Sequence, residues 1–297
     1  MSRRCAGVMV LAILLCGRLS AQAVDRAKPP TLPPPPALKL PAIQTATLPS
    51  GLTLAVVDVH KVPVVDVQVL VDAGAARDPA DLPGLATFTA LMLQQGAGTR
   101  GALDVADEAA FLGAQLNTTA TADGAVASLH VPRRRLEAAL DLLADVVLRP
   151  TFSDSEVARQ RELRSAQLVQ QRDEPVAVAN VAFPAIVYGP GHPYGHPLNG
   201  TDGATAALTR DRVAGFYRAY YRPNDARILM VGDITLAQAR GLVAARFGAW
   251  PQGDVPGLAG GTAPATATRA VYLIDKPGAA QSVIRIGHIG PARTAWC

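Results

Sequence analysis

The sequence predicts an α+β fold, and three observations carry that prediction. Val65, Val67, Val69 and Val71 alternate with Asp66, Gln68 and Asp72, the two-residue period of a half-buried antiparallel strand. Asn117 to Ala122 and Ala125 to Val131 flank Asp123-Gly124, a dipeptide that makes tight hairpin turns. Helical stretches follow, from about Arg134 to Leu148 and from Ser153 to Arg172. In the second, Ser153-Asp154-Ser155-Glu156 supplies an N-cap hydroxyl with an acid three residues on.

Taken in chain order, the first element is a targeting segment. Arg3 and Arg4, the apolar run Val8 to Leu15 and the small-residue site Ala21-Gln22-Ala23 form the three parts of an export signal over residues 1–23. Gly17 and Arg18 interrupt the apolar run, which is too short to span a bilayer. Periplasmic localisation is expected. The alternative is a lipoprotein tethered through Cys16, against which stands the bulky Leu15 before it. Removing the signal takes Arg3, Arg4 and Arg18 but no acid, so the formal charge of +4 falls to +1. With one basic triplet, Arg133-Arg134-Arg135, and two Trp, no nucleic-acid partner is expected. Cys5 and Cys16 fall in the signal, which leaves Cys297 alone and excludes both an internal disulfide and a cysteine metal site.

Residues 24–45, with Pro29-Pro30 and Pro33 to Pro36, read as an extended linker. A first domain is expected over 46–250. It opens with the turn Leu48-Pro49-Ser50-Gly51-Leu52 and the strand-like runs Thr53 to Val59 and Val64 to Val71. Pro83 and Gly84 start a helix through about Gln95, and a second covers about Leu103 to Leu112. After the hairpin and the two longer helices, Pro175 supplies a stop. A Gly/Pro loop at 189–200, a helix near 209–221 and a strand from Ala226 to Val231 come next, and Gly232-Asp233-Ile234-Thr235 leads into a last helix. Residues 251–268 are rich in Gly, Pro, Ala and Thr and read as a linker. Arg269 to Ile274 and Ser282 to His288 then read as strands about Lys276-Pro277-Gly278. This apolar strand, Pro/Gly turn and apolar strand repeat the opening of the first domain, so 269–297 reads as the start of a second, truncated unit.

The stretch Gly84-Leu85-Ala86-Thr87-Phe88-Thr89-Ala90-Leu91-Met92-Leu93, followed by Gly98-Thr99, resembles the zinc helix of the pitrilysin/insulinase-like metallopeptidases, G-L-A-H-F-x-E-H-M-L before G-T. Leu48 to Leu54, Arg149-Pro150 to Glu156, His192-Pro193-Tyr194-Gly195 and Val231-Gly232-Asp233 resemble the same family in the same order. The resemblance implies a mixed, largely antiparallel sheet backed by helices, the first half of a duplicated two-unit protein. In the inverted motif H-x-x-E-H, two histidines and an intervening glutamate share one helical face. The histidines hold zinc and the glutamate takes a proton from the attacking water. The matching positions here are Thr87, Ala90 and Leu91, and Gln167 lies in the region that matches the family's third ligand. Ala and Leu offer no lone pair, and a threonine hydroxyl is a poor zinc ligand. The nearest acids, Glu162 and Glu174, are out of place.

No catalytic residue, metal ligand or cofactor is therefore expected in this chain, and zinc is expected in a homologous partner subunit. The function implied is a non-catalytic subunit shaping a chamber for peptide substrates. Two alternatives stand beside it: a peptide-binding envelope scaffold, and an active zinc peptidase with relocated ligands. His192 and His196 are four apart, but Gly191, Pro193, Gly195 and Pro197 exclude a regular helix there, and turn packing explains them. His60, His130 and His288 read as isolated polar strand positions. No G-x-S-x-G elbow occurs, and Gly257 to Gly261 lacks the Lys-Ser/Thr of a phosphate cradle.

Overall fold

The computed structural model describes residues 40–258, 269–279 and 281–290. The expected export signal, Cys16, most of the Pro-rich linker, residues 259–268 and Cys297 lie outside them.

One six-stranded sheet organises the chain. Its strands are β1 (Gln44–Thr47), β2 (Thr53–Asp58), β3 (Val64–Val71), β4 (Gln115–Ala120), β5 (Ala125–Pro132) and β6 (Ala226–Gly232), in the order β1-β2-β6-β3-β5-β4. Only the β2–β6 pair is parallel, Thr53 opposite Arg227 through Asp58 opposite Gly232. The other four pairings are antiparallel, so the sheet is mixed and largely antiparallel, as the family resemblance implied. β1 starts at Gln44, two residues ahead of the expected domain start.

Val65, Val67, Val69 and Val71 are buried, while Asp66 and Gln68 face outward. Fully burying a valine contributes about 1.5 to 3 kcal/mol, so this alternation fixes which face of the sheet carries the helices. The helices are α1 (Leu85–Met92), α2 (Ala102–Phe111), α3 (Leu136–Leu148), α4 (Asp154–Gln171), α5 (Pro175–Tyr188), α6 (Asp202–Ala206), α7 (Arg210–Tyr220) and α8 (Leu236–Phe247). Hydroxyl caps begin α4, α6, α7 and α8: Ser153, Thr201, Thr209 and Thr235 accept from the N–H of Glu156, Ala204, Arg212 and Gln238. Each such cap is worth about 1 kcal/mol. Arg100, in the connection between α1 and α2, binds Glu108 on α2 and Asp145 on α3 and so ties these two helices together.

Two expectations need correction. Pro175, expected to stop α4, also opens α5, because a proline costs nothing at the first helical position, where its missing N–H has no helical acceptor. α5 has no charged residue and no fully buried one, and it exposes Val176, Val181 and Ile186. The strands expected over 269–274 and 282–288 do not form. The turn between them does, with the Ala279 N–H donating to the Lys276 carbonyl at 3.2 Å and Gly278 at φ +78°. Val271 is 97% exposed and Ile286 93%. Two strands with no third strand and no helix over their apolar face do not hold together in water. Among the described residues, side chains of this segment reach the region of α4 and α5: Lys276 Nζ to Asp173 at 2.9 Å and Arg285 to Asn180 at 2.9 Å.

The one-sided burial of the sheet is testable. Leu129→Ala removes a side chain that is 1% exposed and should cost roughly 2 to 5 kcal/mol. Gln68→Ala, on the open face, should stay within about 0.5 kcal/mol. Urea unfolding of both variants measures the difference.

Candidate functional site

α1 is short, and every residue of it but Leu91 is buried. Its start is built from outside. Gly84, at φ +91°, precedes the helix and has no side chain to cap it. Asp78 supplies the cap instead: its carboxylate accepts from the Gly84 N–H and from the Ala86 N–H, each at 2.7 Å. These are two of the N–H groups that a helix start leaves without partners. The loop at 197–200 closes over the same turn. A Cβ on Gly84 would come within 2.7 Å of the Gly200 nitrogen, and one on Gly200, at φ +74°, within 2.3 Å of the Pro83 carbonyl. Both positions therefore require glycine, for conformation and for space.

Thr87 lies one turn into α1 under this loop, 8% exposed. The carbonyls of Leu198 at 2.7 Å and Gly84 at 3.0 Å stand within reach of its hydroxyl proton. On its other side the hydroxyl oxygen accepts from Nη1 of Arg164 at 3.1 Å. Arg164 projects from α4, is 7% exposed, donates to the Gly84 carbonyl at 2.9 Å and stacks with Cζ 5.0 Å from the centre of the Phe88 ring. Burial pushes its guanidinium down to about 10, opposed by the charge of Asp78, so it stays a cation at neutral pH. Burial also raises the Asp78 carboxyl to about 7, against the two backbone donors and Arg164.

Of the positions matching the zinc motif, Thr87, Ala90 and Leu91 thus share one helix, but Ala90 is fully buried and Leu91 half-buried. Gln167 lies on an exposed part of α4, three residues beyond Arg164. Glu162 and Glu174 are exposed as well. Zinc does not fit these groups. The one oxygen among the motif side chains of α1 is already hydrogen-bonded, the other two side chains are hydrocarbon, and a guanidinium occupies the surroundings. Like unit charges 4 Å apart repel by about 4 kcal/mol at an effective dielectric of about 20, and a divalent ion doubles that. Among the described residues, no three His, Cys, Asp or Glu side chains gather into a metal-binding group.

The histidines sit elsewhere. His192 accepts from the Tyr194 N–H through Nδ1 at 3.0 Å and stacks on Tyr188 at 4.9 Å, a turn-packing role. His130 pairs with Asp66 across the open face of the sheet at 2.7 Å. His60 and His288 lie outside strands, contrary to expectation. His60 bridges Asp233 at 2.5 Å and Asp58 at 2.6 Å, and the Asp233 hydrogen bond, with help from Asp58, raises its pKa.

Sequence reasoning missed Arg164 and Asp78. Arg164 had a signal: it continues the inward stripe Val157, Gln160, Arg164 at helical spacing. Asp78 had none, since a capping acid six residues ahead of the helix it serves follows no periodic rule.

Comparison with known proteins agrees with this architecture. The profile of Insulinase (Peptidase family M16) matches residues 53–202, and that of the Peptidase M16 inactive domain matches residues 207–295. An uncharacterized zinc protease of Mycobacterium leprae is 29% identical over 202 residues, 68% of this chain and 45% of that protein. A probable mitochondrial-processing peptidase subunit beta of Arabidopsis thaliana is 24% identical over 199 residues, 66% of this chain and 37% of that protein. The chain spans half or less of the length of these curated relatives. Among solved structures, a peptidase M16 inactive domain from Pseudomonas fluorescens superposes with a TM-score of 0.68 at 28% identity, covering 72% of this chain and 52% of that one. The periplasmic protease PqqL of Escherichia coli shares the fold with a TM-score of 0.69 at 18% identity, covering 75% of this chain and 26% of that one.

The cap carboxyl makes stability depend on pH. Its folded pKa is raised, so the stability it contributes is complete below the ordinary carboxylate range. That contribution is lost as pH rises from about 4 to the folded value near 7. Urea unfolding between pH 5 and 8 should show this decline in the wild type, and Asp78→Asn should remove that component.

Proposed function

Because the chain belongs to the insulinase family of M16 peptidases, we propose that it is a non-catalytic subunit of a periplasmic zinc-dependent peptidase. In this reading it shapes a peptide-binding chamber with a homologous partner that carries the H-x-x-E-H helix. One observation carries the reading: the helix that would hold zinc presents Thr87, Ala90 and Leu91, and the oxygen of Thr87 is already bonded to Arg164.

The chemistry follows from that. Hydrolysis by such a site needs a Lewis acid to polarise the peptide carbonyl and a base to deprotonate water. The motif positions of α1 offer neither, and Arg164 spends Nη1 on the Gly84 carbonyl and the Thr87 hydroxyl. What the chain retains is the scaffold: the mixed sheet, the Gly84–Gly200 closure and the Arg100 network. An α5 that exposes apolar side chains and carries no charge suits burial against more protein. The P. fluorescens structure named as an inactive domain has the same fold, which supports a scaffold role without peptidase chemistry. The export signal expected over residues 1–23 supports the periplasm.

A peptidase assay tests this directly. The purified chain should hold less than about 0.1 zinc per molecule and cleave a quenched fluorescent peptide no faster than buffer. Mixed with a homologous subunit bearing H-x-x-E-H, it should raise that subunit's kcat/KM at least about tenfold, which is about 1.4 kcal/mol of transition-state stabilisation. Stoichiometric zinc together with cleavage by the chain alone would favour an active peptidase with relocated ligands. No gain on mixing would remove the subunit role.

A further inference from the structure

We infer that the guanidinium of Arg164 has taken the place of a cation at this helix, so that the missing ligands are not the only barrier to zinc. Restoring the ligands at positions 87, 91 and 167, together with the glutamate at 90, would leave the site unable to hold the metal until Arg164 is replaced as well. The inference deepens the non-catalytic reading and rests on it.

Three observations bear on it. The first is position: Nη1 of Arg164 lies 3.1 Å from the Thr87 oxygen, and a ligand at residue 87 must point its lone pair into the space around that oxygen, with zinc only about 2 Å further on. The second is fixation. Arg164 cannot swing away without cost, because Nη1 also satisfies the Gly84 carbonyl and the guanidinium lies over Phe88. Withdrawing it would leave the buried Thr87 hydroxyl short of a donor and the buried aromatic face uncovered.

The third observation separates charge from crowding. The two carbonyls beside Thr87, those of Gly84 and Leu198, are the kind of acceptor that orients a zinc-bound imidazole through its second ring nitrogen. The loop and the helix start therefore suit a histidine at position 87, and the guanidinium beside it opposes a metal. Asp78 completes the picture: it stabilises Arg164 through its charge while it caps α1.

The test uses the full chain and zinc alone as the probe. One variant carries Thr87→His, Ala90→Glu, Leu91→His and Gln167→Glu; a second adds Arg164→Met. Equilibrium dialysis with metal analysis should find close to one zinc per chain in the second variant and at least tenfold weaker binding in the first. Equal, stoichiometric binding by both overturns the inference. So does failure of both to bind while both still melt cooperatively, since the barrier would then lie in the packing around Ala90. Should the ligand-bearing variants not fold, Arg164→Met and Arg164→Lys in the otherwise unchanged chain decide the matter through amide exchange. Arg164→Met should speed exchange at Ala86 to Phe88 at least tenfold, and Arg164→Lys should restore part of the protection. Unchanged exchange in Arg164→Met overturns the inference. No partner subunit takes part, so these outcomes are separate from any gain or lack of gain on mixing.

Discussion

A buried guanidinium has to find acceptors, and Arg164 finds them at the start of α1. Its Nη1 bonds the Gly84 carbonyl and the Thr87 hydroxyl, while the plane of the group covers Phe88. Leaving such a cation unpaired in the interior costs several kcal/mol. The first turn of α1, the inward face of α4 and the closure at 197–200 are therefore constrained together. Gly84 and Gly200 permit the approach because neither carries a Cβ, and Asp78 caps the turn and supplies the opposing charge. The same arrangement sets a cation beside Thr87, the one motif position of α1 with a side-chain oxygen.

The remainder of the fold presents that corner. Alternating valines in β3 fix the buried face of the sheet, helices cover that face, and Arg100 ties α2 to α3 through Glu108 and Asp145. The opposite face stays polar, with Asp66 and His130 paired across neighbouring strands. At the far end of the chain the apolar residues of 269–290 stay exposed and attach through lysine and arginine side chains rather than through a sheet. Local β-pattern is not enough to make a strand when no partner strand and no covering helix are at hand.

What the sequence made legible was whatever depends on neighbours along the chain. The period of Val64 to Val71, the Asp123-Gly124 turn and the caps at Ser153 and Thr235 are local signals, and they produce the elements they specify. Insertion of β6 between β2 and β3 depends on pairing residues more than 150 positions apart, for which no local rule exists. α5 was hidden because one proline does two jobs, and because an apolar helix with no fully buried residue has no amphipathic stripe to read. At the site, the motif positions were found by resemblance, and Arg164 was visible only as a charge within an inward stripe. The bond between Thr87 and Leu198, and that between His60 and Asp233, join segments more than 100 residues apart. They were not there to be read.

By the inference above, a side-chain cation stands where this helix would otherwise hold a metal. A crystal structure from crystals grown with zinc, with anomalous data collected at the zinc edge, tests it most directly. The account predicts the Arg164 guanidinium against the Gly84 carbonyl and the Thr87 hydroxyl, with no anomalous peak beside them. A zinc peak coordinated at Thr87, with Arg164 turned away, would contradict it.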